Sequence, residues 1–379
     1  MALIKTAALL VFFFFISLYA PAQNGPSSAY RSQAVLIAAS LDDSGLAAQV
    51  LLTGIDGNSR NSQSQRALLE RIPAGGIMLF RYNLDTSKEN VKDFLAETAG
   101  IISAGTGIPP FMAADHEGGL VHRFGPGVER LPSAYSFWQL AQRSGRARAL
   151  EEAELIYRRS AAEIGELGIN MVLAPVAEIL SEENRPFLQT RSYGHDADFT
   201  REAAAAYIRA LNSAGITSVL KHFPGNSGVD PHYNIPVLNA ERPGLDEMAG
   251  PFAALISELA PPSVMISHVV VNALDPGVNA SLSRAVIEGW LRSELGFEGI
   301  VMADDFAMAA VAAGPLSQEE AIIQALRAGA DMIMVWPQNI NSAHRAILQA
   351  LEDGSLPRAR LEEAAQRIIT EKLRYGIIR

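Results

Sequence analysis

Four apolar runs in this chain end in side chains that can carry protons or charge. FMAAD ends in Asp115, SVLKH in Lys221 and His222, VMISH in His268, and GIVMADD in Asp304 and Asp305. A second concentration overlaps SVLKH: KHFPGNSGVDPHYNIP, residues 221–236, adds Asp230 and His232 on a stretch broken by glycine and proline. The set holds carboxylates, imidazoles and cations, with no G-x-S-x-G elbow, H-E-x-x-H pair or phosphate-type glycine loop. It suits hydrolysis of a neutral, hydroxyl-rich substrate. Sugar hydroxyls are read by carboxylate acceptors and Lys or Arg donors, and a nearby carboxylate can stabilise or attack an oxocarbenium-like centre. Any one of these residues could instead be a helix cap or a satisfied core polar group; their recurrence at run ends favours a site. Metal ligation by His116, His122, His222, His232 and His268 is the competing reading. None of them forms a tight pair with a carboxylate at helical spacing, so neither a metal nor another cofactor is expected.

The elements that must position these groups are short. VLLTG, GIMLF, FMAAD, MVLAP, SVLKH, VMISH, GIVMAD and DMIMVW make eight candidate strands, each almost continuously apolar, as strands buried on both faces should be. Helical patterns lie between them, and Thr86-x-x-Glu89 and Ser317-x-x-Glu320 read as capping boxes opening two of these. Strand–helix units repeated eight times predict an α/β fold, a (β/α)8 TIM-type barrel in one domain, closed by a final helix over LEEAAQRIITEKLRYG. A split into two domains near residue 240 is the alternative. In a parallel barrel all strand carboxyl ends share one face, so the charged run ends would converge there.

The chain has 379 residues, 49% of them hydrophobic, which is ample for a packed core. Its 31 Lys and Arg against 41 Asp and Glu leave it acidic, and no basic run supports nucleic-acid binding. Residues 1–22 read as a secretory signal: Lys5, an apolar run from Ala7 to Tyr19, then Ala20-Pro21-Ala22 as an A-x-A cleavage pattern. An uncleaved anchor is the alternative, although that run is short for a bilayer core of ~30 Å. Residues 23–30 then form a short linker and residues 31–379 the barrel. Cysteine is absent, so an exported chain carries no disulfide and no lipidated cysteine. An exported protein of the bacterial periplasm, without stable membrane insertion after cleavage, is the expectation; nothing indicates the oligomeric state.

GIMLFRYNL, ADHEGGLVHRF, LAPVAEI, TRSYG, SVLKHFPG, VDPHYNIP, VMISHVVVNALDP and LGFEGIVMADDFAM, in this order, resemble glycoside hydrolase family 3. Within it, the resemblance is to the single-domain bacterial β-N-acetylglucosaminidases of cell-wall recycling, and it covers nearly all of the chain after the signal. It implies a retaining exo-glycosidase acting on a small carbohydrate or glycopeptide, with Asp304 as nucleophile. Strand periodicity cannot choose between Asp304 and Asp305, because a one-residue shift turns a side chain to the opposite face; the resemblance selects Asp304. It further implies that His232 is the acid/base, carried on a mobile loop and oriented by Asp230. An imidazole with an ordinary pKa near ~6.5 and a carboxylate partner suits that task. Asp115, Arg123, Arg191, Lys221 and His222 are implied as sugar-binding residues, with Glu117, His268 and Asp305 as supports behind them. For Arg123 and Arg191 a structural ion pair at the barrel rim is the alternative.

One segment departs from the family. After KHFPG the family continues with histidine, glycine, aspartate and threonine, whereas this chain reads NSGV before Asp230, with Asn226 in place of the histidine and a shorter loop. Pro231 sits inside the Asp230–His232 pair and holds φ near ~−65°. That change admits a working hydrolase with a tighter loop, altered substrate or acceptor preference, or a catalytically weakened sugar-binding protein; apart from it, phosphorolysis in place of hydrolysis and a β-glycosidase of other sugar specificity are alternatives on the same fold. The two-domain β-glucosidases of the family draw their acid/base from a second domain, for which this chain offers no sequence.

Overall fold

A computed structural model of the protein describes residues 28–379 except Pro126. The expected signal, residues 1–22, and the first part of the expected linker lie outside the described residues. The rest of that linker is not a linker: a helix spans Ser28–Ser40 and packs along the last helix, Arg358–Arg374.

The eight predicted runs are eight strands, β1 Leu51–Gly54, β2 Gly76–Leu79, β3 Phe111–Ala114, β4 Met171–Val172, β5 Thr217–Phe223, β6 Ser263–Ile266, β7 Ile300–Ala303 and β8 Met332–Val335. They pair in parallel in chain order, and β8 closes on β1 through Leu51↔Ile333 and Leu52↔Met334. This is the (β/α)8 barrel. All eight strands are buried along their length, which is why the runs are continuous rather than alternating. β5 and β6 pair directly across residue 240, so the chain does not divide there.

Two local features bear on the site. β4 ends at Val172, and the rest of MVLAP stays beside β5 through the Val219 N–H on the Ala174 carbonyl, the Lys221 N–H on the Pro175 carbonyl and a bridge between Val176 and Lys221. On β5, Leu220 pairs with Val264 but Phe223 with Ile266, so three steps on β5 match two on β6. This bulge holds Lys221 and His222 and re-aims them at the strand's carboxyl end.

The helix starts are largely as expected. Ser317 and Glu320 form a reciprocal capping box. At the other predicted box the cap is Ser87, one residue later than Thr86: Ser87 Oγ accepts from the Asn90 N–H, while Thr86 Oγ1 accepts from the Asn90 side chain.

The amino-terminal end of the barrel is closed by charge as well as by apolar packing. Asp331, fully buried just before β8, accepts from Arg292, Arg360 and Arg367 at 2.6, 2.8 and 3.1 Å. Lys372 of the last helix is also fully buried, over the Phe111 ring, with Gln49 Oε1 at 3.1 Å. No described helix is long and apolar enough to cross a membrane.

Candidate active site

The carboxyl ends of the strands enclose a pocket of about 300 Å³, at the lower end of small-molecule sites. On one side stand groups from β3, β5 and the loops beyond them. Asp115, immediately after β3, accepts from Lys221 Nζ at 2.8 Å and from Arg123 Nη2 at 3.2 Å. Glu117 accepts both Nε and Nη2 of Arg191, at 2.7 and 2.8 Å, and lies 2.6 Å from Lys221 Nζ. Glu117 and Arg123 sit on a hairpin, His116–Gly118 with Val121–His122, which turns through Gly118 and Gly119. Gly118 has φ 89°, and a Cβ there would lie 2.1 Å from the Pro132 carbonyl oxygen, so only glycine fits.

Burial alone would push both carboxylates up, but the neighbouring cations outweigh it. Lys221 and Arg123 hold Asp115 below the usual carboxylate range, and Arg191 with Lys221 holds Glu117 well below it. Burial would likewise lower Lys221, yet Asp115 and Glu117 keep it above its ordinary value and charged. Arg123 and Arg191 therefore do form ion pairs, but these are walls of the pocket and not distant rim contacts.

His222 is fixed by a residue that carried no expectation. Its Nδ1 lies 2.7 Å from Glu178 Oε1, so Nδ1 bears the proton and Nε2 faces Arg191 Nη2 at 3.4 Å. Glu178 is 1% exposed and also accepts from the Asn226 side chain at 3.2 and 3.3 Å. Asn226, the residue that departs from the family pattern, is thus a buried support for the Glu178–His222 pair. The signal was present in the sequence as a lone carboxylate in the apolar stretch LAPVAEI, but LAPVAEI gave no reason to place it beneath His222.

Across the pocket, Asp304 follows β7. Its Oδ1 accepts the Asp305 N–H at 2.8 Å, Oδ2 has no hydrogen bond among the described residues, and the side chain borders the pocket. Asp305, which also borders the pocket, accepts Trp336 Nε1 at 2.8 Å and the Ala307 N–H at 2.8 Å; burial raises its pKa. His268 lies behind both, with Nε2 3.0 Å from the Asp305 carbonyl oxygen and Nδ1 2.7 Å from Ser281 Oγ. Burial lowers its pKa, so it is a neutral prop for the turn. Trp336 and Phe80, stacked at 5.0 Å and 8°, complete this wall. Neither carried an expectation, although each ends a strand run.

His232 borders the same pocket from the loop after β5. Its Nδ1 and its backbone N–H both meet Asp230 Oδ1, at 2.7 and 2.9 Å, leaving Nε2 without a hydrogen bond among the described residues. The turn is held by the Tyr233 and Asn234 N–H groups on the Asp230 carbonyl, and by the Ala310 N–H on the Pro231 carbonyl at 3.0 Å. His116 is not at the pocket: it is buried against Ser160 at 2.8 Å, and burial pushes its pKa down to about 3. No three His, Asp or Glu among the described residues are grouped to hold a metal ion.

A barrel that presents a free carboxylate, a carboxylate-paired imidazole and balanced charges around a sugar-sized pocket is that of a glycoside hydrolase. Residues 41–371 match the glycosyl hydrolase family 3 N-terminal domain, and the chain belongs to that family. It is 32% identical over 294 residues to a β-hexosaminidase of Thioalkalivibrio sulfidiphilus, covering 77% of this chain and 81% of that protein. It is 30% identical over 341 residues to the β-hexosaminidase LpqI of Mycobacterium tuberculosis, covering 86% and 81%. Among solved structures, a family 3 β-N-acetylglucosaminidase from a Paenibacillus species superposes with TM-score 0.82 at 30% identity over 89% of this chain, which spans 63% of that longer protein. A β-N-acetylhexosaminidase from Beutenbergia cavernae superposes with TM-score 0.78 at 25% identity, over 89% of this chain and 99% of that one.

Proposed function

We propose that this protein is a retaining exo-β-N-acetylhexosaminidase that releases terminal β-linked N-acetylglucosamine from cell-wall-derived or similar glycosides. The observation that carries the reading is that Asp304 and His232, from different strand ends, border one pocket whose remaining polar wall is charge-balanced. There Asp115, Glu117 and Asp305 stand with Arg123, Arg191 and Lys221, three carboxylates against three cations, which suits a neutral, hydroxyl-rich ring better than an anion.

In this mechanism Asp304 Oδ2 attacks the anomeric carbon as His232 Nε2–H donates its proton to the departing glycosidic oxygen. Asp230 keeps the Nδ1 proton in place and stabilises the imidazolium before transfer. The glycosyl–Asp304 ester is then hydrolysed by a water that His232 deprotonates. Asp115, Arg123, Arg191, Lys221 and His222 hold the sugar hydroxyls, and Glu117 keeps Arg191 and Lys221 charged and aimed. The names and folds of the relatives support the substrate class. An exported location, with cleavage after Ala22, belongs to the same proposal and rests on residues 1–22 alone.

The test compares wild type with His232→Ala on two N-acetylglucosaminides, one with a good aryl leaving group and one with a poor one. Loss of the acid should cost far more on the poor leaving group. An equal loss on both refutes the acid role. A slow fluorosugar substrate should leave an adduct on Asp304; sugar binding without any adduct would make the protein a binding module instead.

A further inference from the structure

The family resemblance implies a mobile carrier for His232, but in this chain the carrier is tied down along its length. Residues 226–236 leave β5 and end at a short parallel pair, Val237–Leu238 with Val270–Val271. At the root, Asn226 is buried and donates to Glu178. Gly228 then lies against the loop that follows β4. A Cβ there would sit 2.2 Å from the Glu183 carbonyl oxygen, so only glycine allows this approach. Pro231 is buried, and its carbonyl accepts the Ala310 N–H at 3.0 Å. Ala310 belongs to the helix Ala309–Ala312, on the segment that carries Asp304. The Ala310 carbonyl in turn accepts Asn279 Nδ2 at 2.9 Å, and Asn279 is itself buried. At the far end the Pro236 carbonyl accepts the Val270 N–H at 2.9 Å. Only the tip between the two prolines, His232 to Ile235, is exposed.

A carrier that swung open would have to uncover Pro231, break its hydrogen bond to Ala310 and lift Gly228 off Glu183. Pro231 also has a fixed φ, so a tie at its carbonyl passes directly to the next residue, His232. The chain of contacts runs from Asn279 through Ala310 and Pro231 to the imidazole, and it couples that imidazole to the backbone that bears Asp304. We propose that residues 226–236 form a fixed mount, with Asn279 and Gly228 as positioning residues that hold His232 at the pocket beside Asp304 before substrate arrives. The shortened NSGV segment is what permits this, because Gly228 reaches Glu183 and Pro231 reaches Ala310 with no slack between them. The acid is then preorganised, and proton transfer does not wait on closure of this segment. This rests on the acid role proposed for His232 and specifies how that role is held.

The test uses the full chain and reads amide hydrogen exchange over residues 226–236, free and with saturating N-acetylglucosamine. Exchange there should change by less than about threefold on binding; a larger slowing would mean that the segment closes on the ligand, and overturns the fixed mount. Two variants then probe the ties. Asn279→Ala cuts the chain of contacts at a residue that does not border the pocket, and Gly228→Ala pushes the segment off Glu183. Each should lower kcat/KM about tenfold or more on an N-acetylglucosaminide with a poor leaving group, which needs the acid. On one with a good aryl leaving group the loss should stay under about threefold. Equal losses on the two substrates, or no loss on either, overturn the positioning role, and Asn279→Ala decides the matter if Gly228→Ala does not fold. If His232→Ala itself loses equally on both, the acid role fails and the positioning role with it, whereas the exchange result tests the mount independently of that role.

Discussion

Replacing Lys221 by Met removes a cation that is 2% exposed and lies 2.8 Å from Asp115 and 2.6 Å from Glu117. At the longer distance and an effective dielectric near 20, one such contact is worth ~6 kcal/mol before the cost of desolvation. Glu117 keeps its bidentate Arg191, but Asp115 is left with Arg123 at 3.2 Å alone. Breaking a buried pair from one side typically costs about 3–5 kcal/mol, which should appear as a fall in Tm on the order of 5–10 °C. The pH dependence has a definite sign. Asp115 and Glu117 are held below their usual pKa values, so their share of the stabilisation is present above about pH 4 and fades as pH falls through their folded pKa values. Lys221 is held above its usual value, so its share is intact below about pH 10 and fades above that. The gap between wild type and variant in denaturant unfolding should therefore be widest from about pH 5 to 10 and shrink at both ends. A loss under about 1 kcal/mol at pH 7, the value of an exposed pair, would refute the reasoning.

Two further outcomes concern the closed end of the barrel. Burial pushes the Lys372 ammonium down to about 7, so the unfolded chain binds more protons than the folded one between about pH 7 and 10, and wild-type stability should rise across that window. Lys372→Met should remove that rise and be more stable at pH 7 by about 1–4 kcal/mol; a flat wild-type profile in denaturant melts would contradict this. Asp331→Ala should lose about 3–5 kcal/mol by leaving Arg292, Arg360 and Arg367 without their shared buried acceptor, measured by the same melts. An unchanged midpoint would show that water or Glu363 replaces it.

The barrel was legible because strands buried on both faces leave an unmistakable trace. Every apolar run from VLLTG to DMIMVW became a strand, and the groups that end them meet on one face because parallel strands share a carboxyl end. Asp304, Lys221 and Asp115 could be picked out as run-end groups and border one pocket; His232, on a loop, was offered only by the family resemblance, which also chose Asp304 over its neighbour. Glu178, Trp336 and Phe80 were offered by neither. A carboxylate beneath His222 and two stacked rings from β2 and β8 are contacts between segments remote in sequence, and no local pattern encodes them.

What the sequence by itself determined was the order and burial of the strands and the kinds of group at their ends, since hydrophobic periodicity is a local property. The tertiary structure alone decided which charges neutralise which. It set Lys221 between two carboxylates, engaged Asp305 with Trp336, made Asn226 a support for Glu178, and opened a second cleft beside the first. Those outcomes depend on barrel closure and on a single bulge in β5, because distances between side chains exist only once the chain is folded.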